Sequence, residues 1–228
     1  MNILQKLMEK PWEPSSDAAA IAIATGPTSR YVAQRMMLNI FLAIVSVVFM
    51  LFFVTFITHS QYPGFQALAG EPWKPFASTS SLWVNTLWLG LSSLAMHGGL
   101  VKTRQGASAQ ALIAMLLAAF FAVQFMLAQL GLWRDLSAMG YVLNANPANS
   151  YFYLMTAVHG LHLFGGLVVL VRAIVLLWRG ADLGRIQVSL KLCAIYWHYL
   201  LALWLVLFFL LTRSPETYRA IAIACGLG

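Results

Sequence analysis

The chain has 228 residues, 61% hydrophobic and 9% charged, with a mean hydropathy of +0.76. An ordinary soluble domain is about a quarter charged, so this composition excludes that class and predicts an integral membrane protein. The 14 basic and 7 acidic residues need no nucleic-acid partner, because membrane proteins gather Lys and Arg in cytoplasmic loops and no basic patch with interleaved aromatics is present.

Residues 1–35 read as a cytoplasmic arm. MNILQKLMEKPWEP is a poor signal peptide, with acids and Pro11 where an apolar core belongs. DAAAIAIAT is too short to span and reads as a surface helix or a disordered stretch. A bilayer-crossing helix needs about 20 mostly apolar residues. Five stretches meet that length: 36–58, 81–101, 109–133, 151–171 (with an extension to Trp178 left open) and 192–212. The runs are continuous and do not alternate, which excludes a β-barrel. The expected fold is therefore an all-α bundle of five transmembrane helices over 36–212, followed by a short external tail at 213–228.

Basic residues orient the bundle. Lys6, Lys10, Arg30 and Arg35 precede the first span, and Lys102 and Arg104 follow the second. Arg172, Arg179, Arg185 and Lys191 separate the fourth from the fifth, making ten on one side. Lys74, Arg134, Arg213 and Arg219 make four on the other. Ten against four predicts a cytoplasmic N terminus and an external C terminus. The outer loop QYPGFQALAGEPWKPF is rich in Pro and Gly, and YVLNANPANS forms a second turn-rich connection. Trp73, Trp83 and Trp133 near the outer ends, with Trp178 near the inner end, suit interfacial belts. Cys193 and Cys225 fall near opposite faces, too far apart for a bridge. No inverted repeat of the transporter kind is visible.

The residues most able to carry chemistry are histidines: His159 and His162 in the fourth span, His198 in the fifth and His97 near the end of the second. Intramembrane ionisable residues mark functional or packing-critical positions. No Asp or Glu lies within the spans beside them, so they are expected to be neutral and held by hydrogen bonds. Ser, Thr, Gln or backbone groups are the expected partners, with Gln124, Gln129, Asn85 and Thr86 the best placed. His159 and His162 share a helix face with Met155 and Gly166. Heme ligation by His162 and His198, as in a b-type cytochrome, requires matched depth. At about 1.5 Å per residue they lie roughly 16 and 21 Å below the outer surface, a poor match. A dinuclear copper centre needs more ligands than the chain offers. Gly160, Gly165 and Gly166, like Gly90, Ser92 and Ser93, are expected to permit close helix contact. Trp197, Leu201, Trp204 and Phe208 form a stripe on one face of the fifth span, read as a helix or lipid contact. The sequence has no phosphate loop, no Cys-x-x-Cys-His heme attachment and no row of acids for ion relay. A small transporter would need broken helices or acids that these spans lack.

Several local patterns coincide with one family. NTLWLGLSS resembles the N-T-x-x-L-x-x-S-S stretch of subunit III of heme–copper terminal oxidases. QLGLWRDLSAMG resembles its Q-x-x-E-W/Y-x-x-L-x-x-x-G, and SYFYLMTAVHGLHLFGG its T-G-x-H-G-x-H-x-x-x-G, with Ala157 for the first Gly. YWHYLLALWLVLF resembles the closing Y-W-H-F-x-D-x-x-W. The fragments keep the family's order and cover roughly Asn85 to Leu211.

The resemblance implies a short five-helix form of a non-catalytic subunit in a bacterial inner membrane. Such a subunit packs beside subunit I, and with subunit II nearby, while heme and copper stay in the catalytic partner. It stabilises subunit I, holds phospholipid in a cleft and assists oxygen access. His159, His162, His198 and Gln129 are then structural polar positions, and no catalytic, cofactor-binding or metal-ligating residue is expected in this chain. Three family carboxylates are replaced: by Val47 in IVSVVFM, by Leu132 in QLGLW and by Leu201 in YWHYLL. Leu or Val cannot relay a proton, so a proton-uptake role resting on those acids is not expected here. The accessory subunits of nitric oxide reductase and quinol oxidase are the nearest alternatives.

Overall fold

The computed structural model describes residues 27–62, 65, 68, 80–180 and 183–226. The DAAAIAIAT segment and most of the Pro-rich loop, including Trp73 and Lys74, lie outside the described residues. Six helices are seen among those described: α1 Pro27–His59, α2 Ser80–Arg104, α3 Ser108–Ala138, α4 Pro147–Trp178, α5 Leu183–Leu211 and α6 Pro215–Ala224.

Contacts divide the chain into two units, one ending at Phe41 and one running from Leu42. In the first, the described part of α1 exposes Met36, Met37 and Ile40. The second unit holds the remaining helices. Within it, α2 packs on α3 and α5, and α4 packs on the same two helices, closing a ring of four. Sparse side chains of α1 meet the ring: Phe49 against His162 with centroids 6.0 Å apart, and Phe56 against Tyr151 at 5.5 Å.

Local sequence fixes the helix ends. Gly106 adopts a positive φ of 74°, which closes α2 with Gly106 N–H donating to Thr103 O (3.2 Å) and Ala107 N–H to Lys102 O (3.1 Å). Lys102 and Arg104 sit in that last turn, where cations complement the carbonyl end of the helix dipole. Asn146 caps α4 by accepting from Ala148 N–H at 3.1 Å, and Pro147 follows at the first helical position. Along α1, hydroxyls that would otherwise be stranded in lipid bond back to their own helix, Thr55 to Leu51 O and Thr58 to Val54 O, both at 2.9 Å.

Four helices are long and apolar enough to cross a membrane: Tyr31–His59, Ser108–Ala138, Pro147–Trp178 and Ile186–Leu211. The remaining stretch of the five, 81–101, forms α2 as a 25-residue helix but falls short in apolarity. The physical reason is its cargo of polar groups, Asn85, Thr86, Ser92 and Ser93, each bonded inside the molecule. A helix flanked by α3 and α5 need not be apolar all round.

Beyond the ring, α6 docks by Tyr218, which is buried and donates to Leu210 O at 2.8 Å. Burial pushes this phenol above the ordinary tyrosine range, so it stays a donor.

Candidate functional site

Of the polar residues singled out from the sequence, Asn85, Gln129 and His159 are buried in the ring, where α2 supplies a ladder of small polar groups. Asn85 and Ser92 are seven residues apart, as are Thr86 and Ser93, so each pair shares one face of α2. Toward α5, Trp204 Nε1–H donates to Thr86 Oγ1 at 3.0 Å and Trp197 Nε1–H to Ser92 Oγ at 2.8 Å. Toward α3, Ser92 Oγ–H donates to Ala118 O at 2.7 Å and Asn85 Nδ2–H to Gln129 Oε1 at 2.9 Å. Ser92 is thus a node joining three helices, with no exposure at all. The Trp197/Trp204 part of the stripe on α5 is a helix contact, both rings buried, while Phe208 meets Trp83 edge-on at 4.8 Å.

The histidines separate into different environments. His198 Nδ1 lies 2.6 Å from Ser93 Oγ, and its exposed ring stands 5.7 Å from that of His97, also exposed. His162 Nδ1 lies 2.7 Å from Val158 O of its own helix, while its carbonyl also accepts from Tyr196 Oη–H at 2.8 Å. These two match the expected Ser or backbone partners. His159 does not. Its ring is fully buried between Phe125 (5.8 Å) and Trp204 (5.4 Å), and neither ring nitrogen has a hydrogen-bond partner among the described residues. Three of the groups expected to serve the histidines bond elsewhere. Asn85 and Gln129 bond each other, and Thr86 takes Trp204. His159 sits instead against aromatic rings.

The missing partners set the expected effect of removing the ring. An unpartnered polar group in an apolar site is a cost, and an apolar side chain of similar volume relieves it. His159→Leu is expected to be neutral or to stabilise the protein by up to about 1–2 kcal/mol. Denaturant unfolding in mixed micelles checks this, and a loss above about 1 kcal/mol would show that the ring nitrogens are in fact partnered.

Only one of the expected thinning glycines in α4 is a contact. A Cβ on Gly166 would lie 2.7 Å from Tyr196 Cε1 and 3.0 Å from Trp197 Cζ3, whereas Gly160 and Gly165 would meet nothing within 4 Å, as would Gly90 on α2. Sequence reasoning missed the Ser92 node, the Tyr196–Gly166 seat and the Tyr199 hydroxyl, which reaches Ser46 Oγ of α1 at 2.8 Å. The seven-residue spacing of Trp197 and Trp204 was the available signal for the first. Tyr next to Trp on the helix facing Gly166 was a faint one for the second.

Two clefts open on the flanks of α3. One, of about 310 Å³, lies between α2 and α3, lined by Ser80, Asn85, Gly131, Leu132 and the exposed Asp135. The other, of about 300 Å³, lies between α3 and α4. Among the described residues no three or more His, Cys, Asp or Glu side chains cluster in a metal-holding group. Cys193 is buried and Cys225 exposed, both free.

No family model matches this sequence. Curated relatives do match, and two of them are named cytochrome c oxidase subunit 3. The protein from Thermostichus vulcanus is 30% identical over 148 residues, 62% of this chain and 71% of the relative. The chain belongs to the cytochrome c oxidase subunit 3 family. The protein of Synechocystis sp. (strain ATCC 27184 / PCC 6803 / Kazusa) is 30% identical over 131 residues, covering 56% of this chain and 54% of the relative. As a subunit 3 family member with several long apolar helices, the chain is a membrane protein. The three residues read from the sequence as replacing family carboxylates have unlike surroundings. Val47 is 60% exposed on α1, Leu132 lines the α2/α3 cleft one turn from Asp135, and Leu201 is half-buried on α5.

Proposed function

We propose that this chain is the non-catalytic subunit III of a respiratory heme–copper oxidase in a bacterial inner membrane. It has five spans with α2 as the second, its N terminus cytoplasmic and its C terminus outside. Residues 1–35 form an arm, 36–212 the membrane domain and 213–228 an external tail. It stabilises subunit I, with subunit II as the second neighbour, binds phospholipid and assists oxygen access. Heme and copper reside in the catalytic partner, where oxygen is reduced. His159, His162, His198 and Gln129 serve packing, and the apolar Val47, Leu132 and Leu201 take no part in proton uptake.

The relationship over 148 residues to a protein named as an oxidase subunit carries this reading. The exposure of His97 and His198 on one flank adds support. Imidazoles on apolar helices are expected to face protein rather than lipid, and the covering surface would belong to another subunit. The rival reading as a b-type cytochrome is weakened by direction. His162 faces Phe49 of α1, while His198 faces Ser93 and His97 of α2.

Co-purification of the tagged chain from its native membrane tests the proposal. Partner subunits with heme–copper spectra are expected, and the isolated chain should show no Soret band. Purification without such partners, or stoichiometric heme in the chain alone, would overturn it. A nitric oxide reductase or quinol oxidase partner would move the chain to the corresponding accessory role.

A further inference from the structure

On the flank shared by α2 and α5, His97 and His198 hold ring nitrogens that helix packing does not use. His198 commits Nδ1 to Ser93 Oγ at 2.6 Å. Its Nε2 and both nitrogens of His97 make no hydrogen bond among the described residues. Both side chains are exposed, and their ring centroids stand 5.7 Å apart.

Helix direction turns the two rings toward each other. Thr86 meets Trp204, whereas Ser93, later on α2, meets His198, earlier on α5, so the two helices run antiparallel. A side chain leans toward the N terminus of its own helix. His97 therefore leans back toward Ser93, one turn away, and His198 leans toward the level of His97. Two imidazoles that share one ion through metal–nitrogen bonds of about 2.0–2.1 Å hold their centroids about 5–6 Å apart. The observed separation falls in that range.

Ser93 adds a second element. A metal-binding histidine usually ties its other ring nitrogen into a hydrogen bond, which fixes the tautomer and the ring orientation. In the tautomer whose Nδ1–H donates to Ser93 Oγ, Nε2 of His198 carries the free lone pair.

Donor type selects the ion. No third His, Cys, Asp or Glu joins the pair among the described residues. Neutral imidazoles suit Zn2+, Cu2+ or Ni2+ and not the oxygen-seeking Mg2+ or Ca2+. Two ligands leave the other coordination positions to water or to a donor on a covering subunit. His97 is five residues from Lys102 and His198 seven from Lys191, about 8 and 10 Å along their helices. Lysines at helix ends carry their ammonium groups to the membrane–water boundary, so an ion reaches the pair without crossing the bilayer.

We propose that His97 and His198 bind a first-row divalent transition-metal ion, through His198 Nε2 and one ring nitrogen of His97, with Ser93 holding the His198 ring. The site is built from this chain's own residues and does not depend on the assignment to an oxidase.

The test uses the chain with a histidine-free tag, in nanodiscs with its co-purifying subunits, after washing with chelator. One equivalent of Cu2+ is added, and pulsed EPR is recorded against the same sample before addition. The added ion is expected to show remote-nitrogen couplings from two imidazoles and to be displaced by excess Zn2+. His97→Ala removes a side chain that makes no hydrogen bond among the described residues, so the fold should survive it. It should leave one imidazole coupling and weaken binding more than any change at Ser93. Ser93→Ala should keep both couplings and weaken binding by about tenfold, the low end for losing the hydrogen bond behind a metal ligand. Added copper without imidazole couplings, or binding unchanged in His97→Ala, would overturn the proposal. Heme content of the same sample reports separately on the oxidase assignment.

Discussion

Trp197→Ala is expected to destabilise the four-helix ring by about 3–5 kcal/mol, the range for removing a fully buried large aromatic. Trp197 has no exposed surface, and its indole spans from α5 to the Ser92 node on α2. Truncation opens a cavity at the point where α2, α3 and α5 meet. It also leaves Ser92 with Ala118 O alone. Trp197→Phe narrows the difference, since it keeps an aromatic ring in the seat and loses the N–H together with part of the indole. It should cost about 1–3 kcal/mol, less than the Ala variant, because the lost hydrogen bond of about 0.5–1.5 kcal/mol is joined by a small cavity. Unfolding in mixed micelles, followed by helix circular dichroism, reads both. Equal losses for Ala and Phe would mean that the hydrogen bond, not the packing, dominates at this position.

The second large effect is expected at Gly166. Gly166→Val places carbon where Tyr196 Cε1 would be 2.7 Å from Cβ alone. No rotamer of Val removes that overlap, so Tyr196 must leave its seat and lose its bond to His162 O. Overpacking of this kind costs about 1–3 kcal/mol, and the lost bond adds roughly 1 kcal/mol. Gly165→Ala and Gly160→Ala are the controls, because their Cβ atoms meet nothing within 4 Å. Each should be tolerated and gain up to about 1 kcal/mol from helix propensity. Thermal inactivation of the four proteins ranks them. A Val variant as durable as the Ala controls would show that α4 and α5 are not seated through Gly166.

The apolar runs of α1, α3, α4 and α5 were legible because a span writes itself as an uninterrupted stretch longer than any soluble element requires. The end of α4 was legible to within its open extension, and it reaches Trp178. α2 was visible as a helix-length run, but its lower apolarity has meaning only once α3 and α5 flank it. Partner choice was not legible. Residue type marks Asn85, Thr86, Gln129 and the histidines as candidate partners, yet side-chain reach and geometry decide who bonds whom. Gln129 went to Asn85, Thr86 to Trp204, and His159 to aromatic rings. The glycines make the same point. Gly160, Gly165 and Gly166 are alike in sequence, and only the neighbour on α5 distinguishes them.

The bonds that tie α2 to α3 and through the two tryptophans to α5 join indoles, hydroxyls, amides and a backbone carbonyl, none of which carries a net charge. A transmembrane voltage does work on a charge, about 2.3 kcal/mol per unit charge for each 100 mV crossed. It does almost none on a small neutral pair lying across the field. A carboxylate at Leu132 or Leu201 would place a voltage-sensitive group beside these contacts. As built, the ring should keep one helix register whether the membrane is energised or discharged.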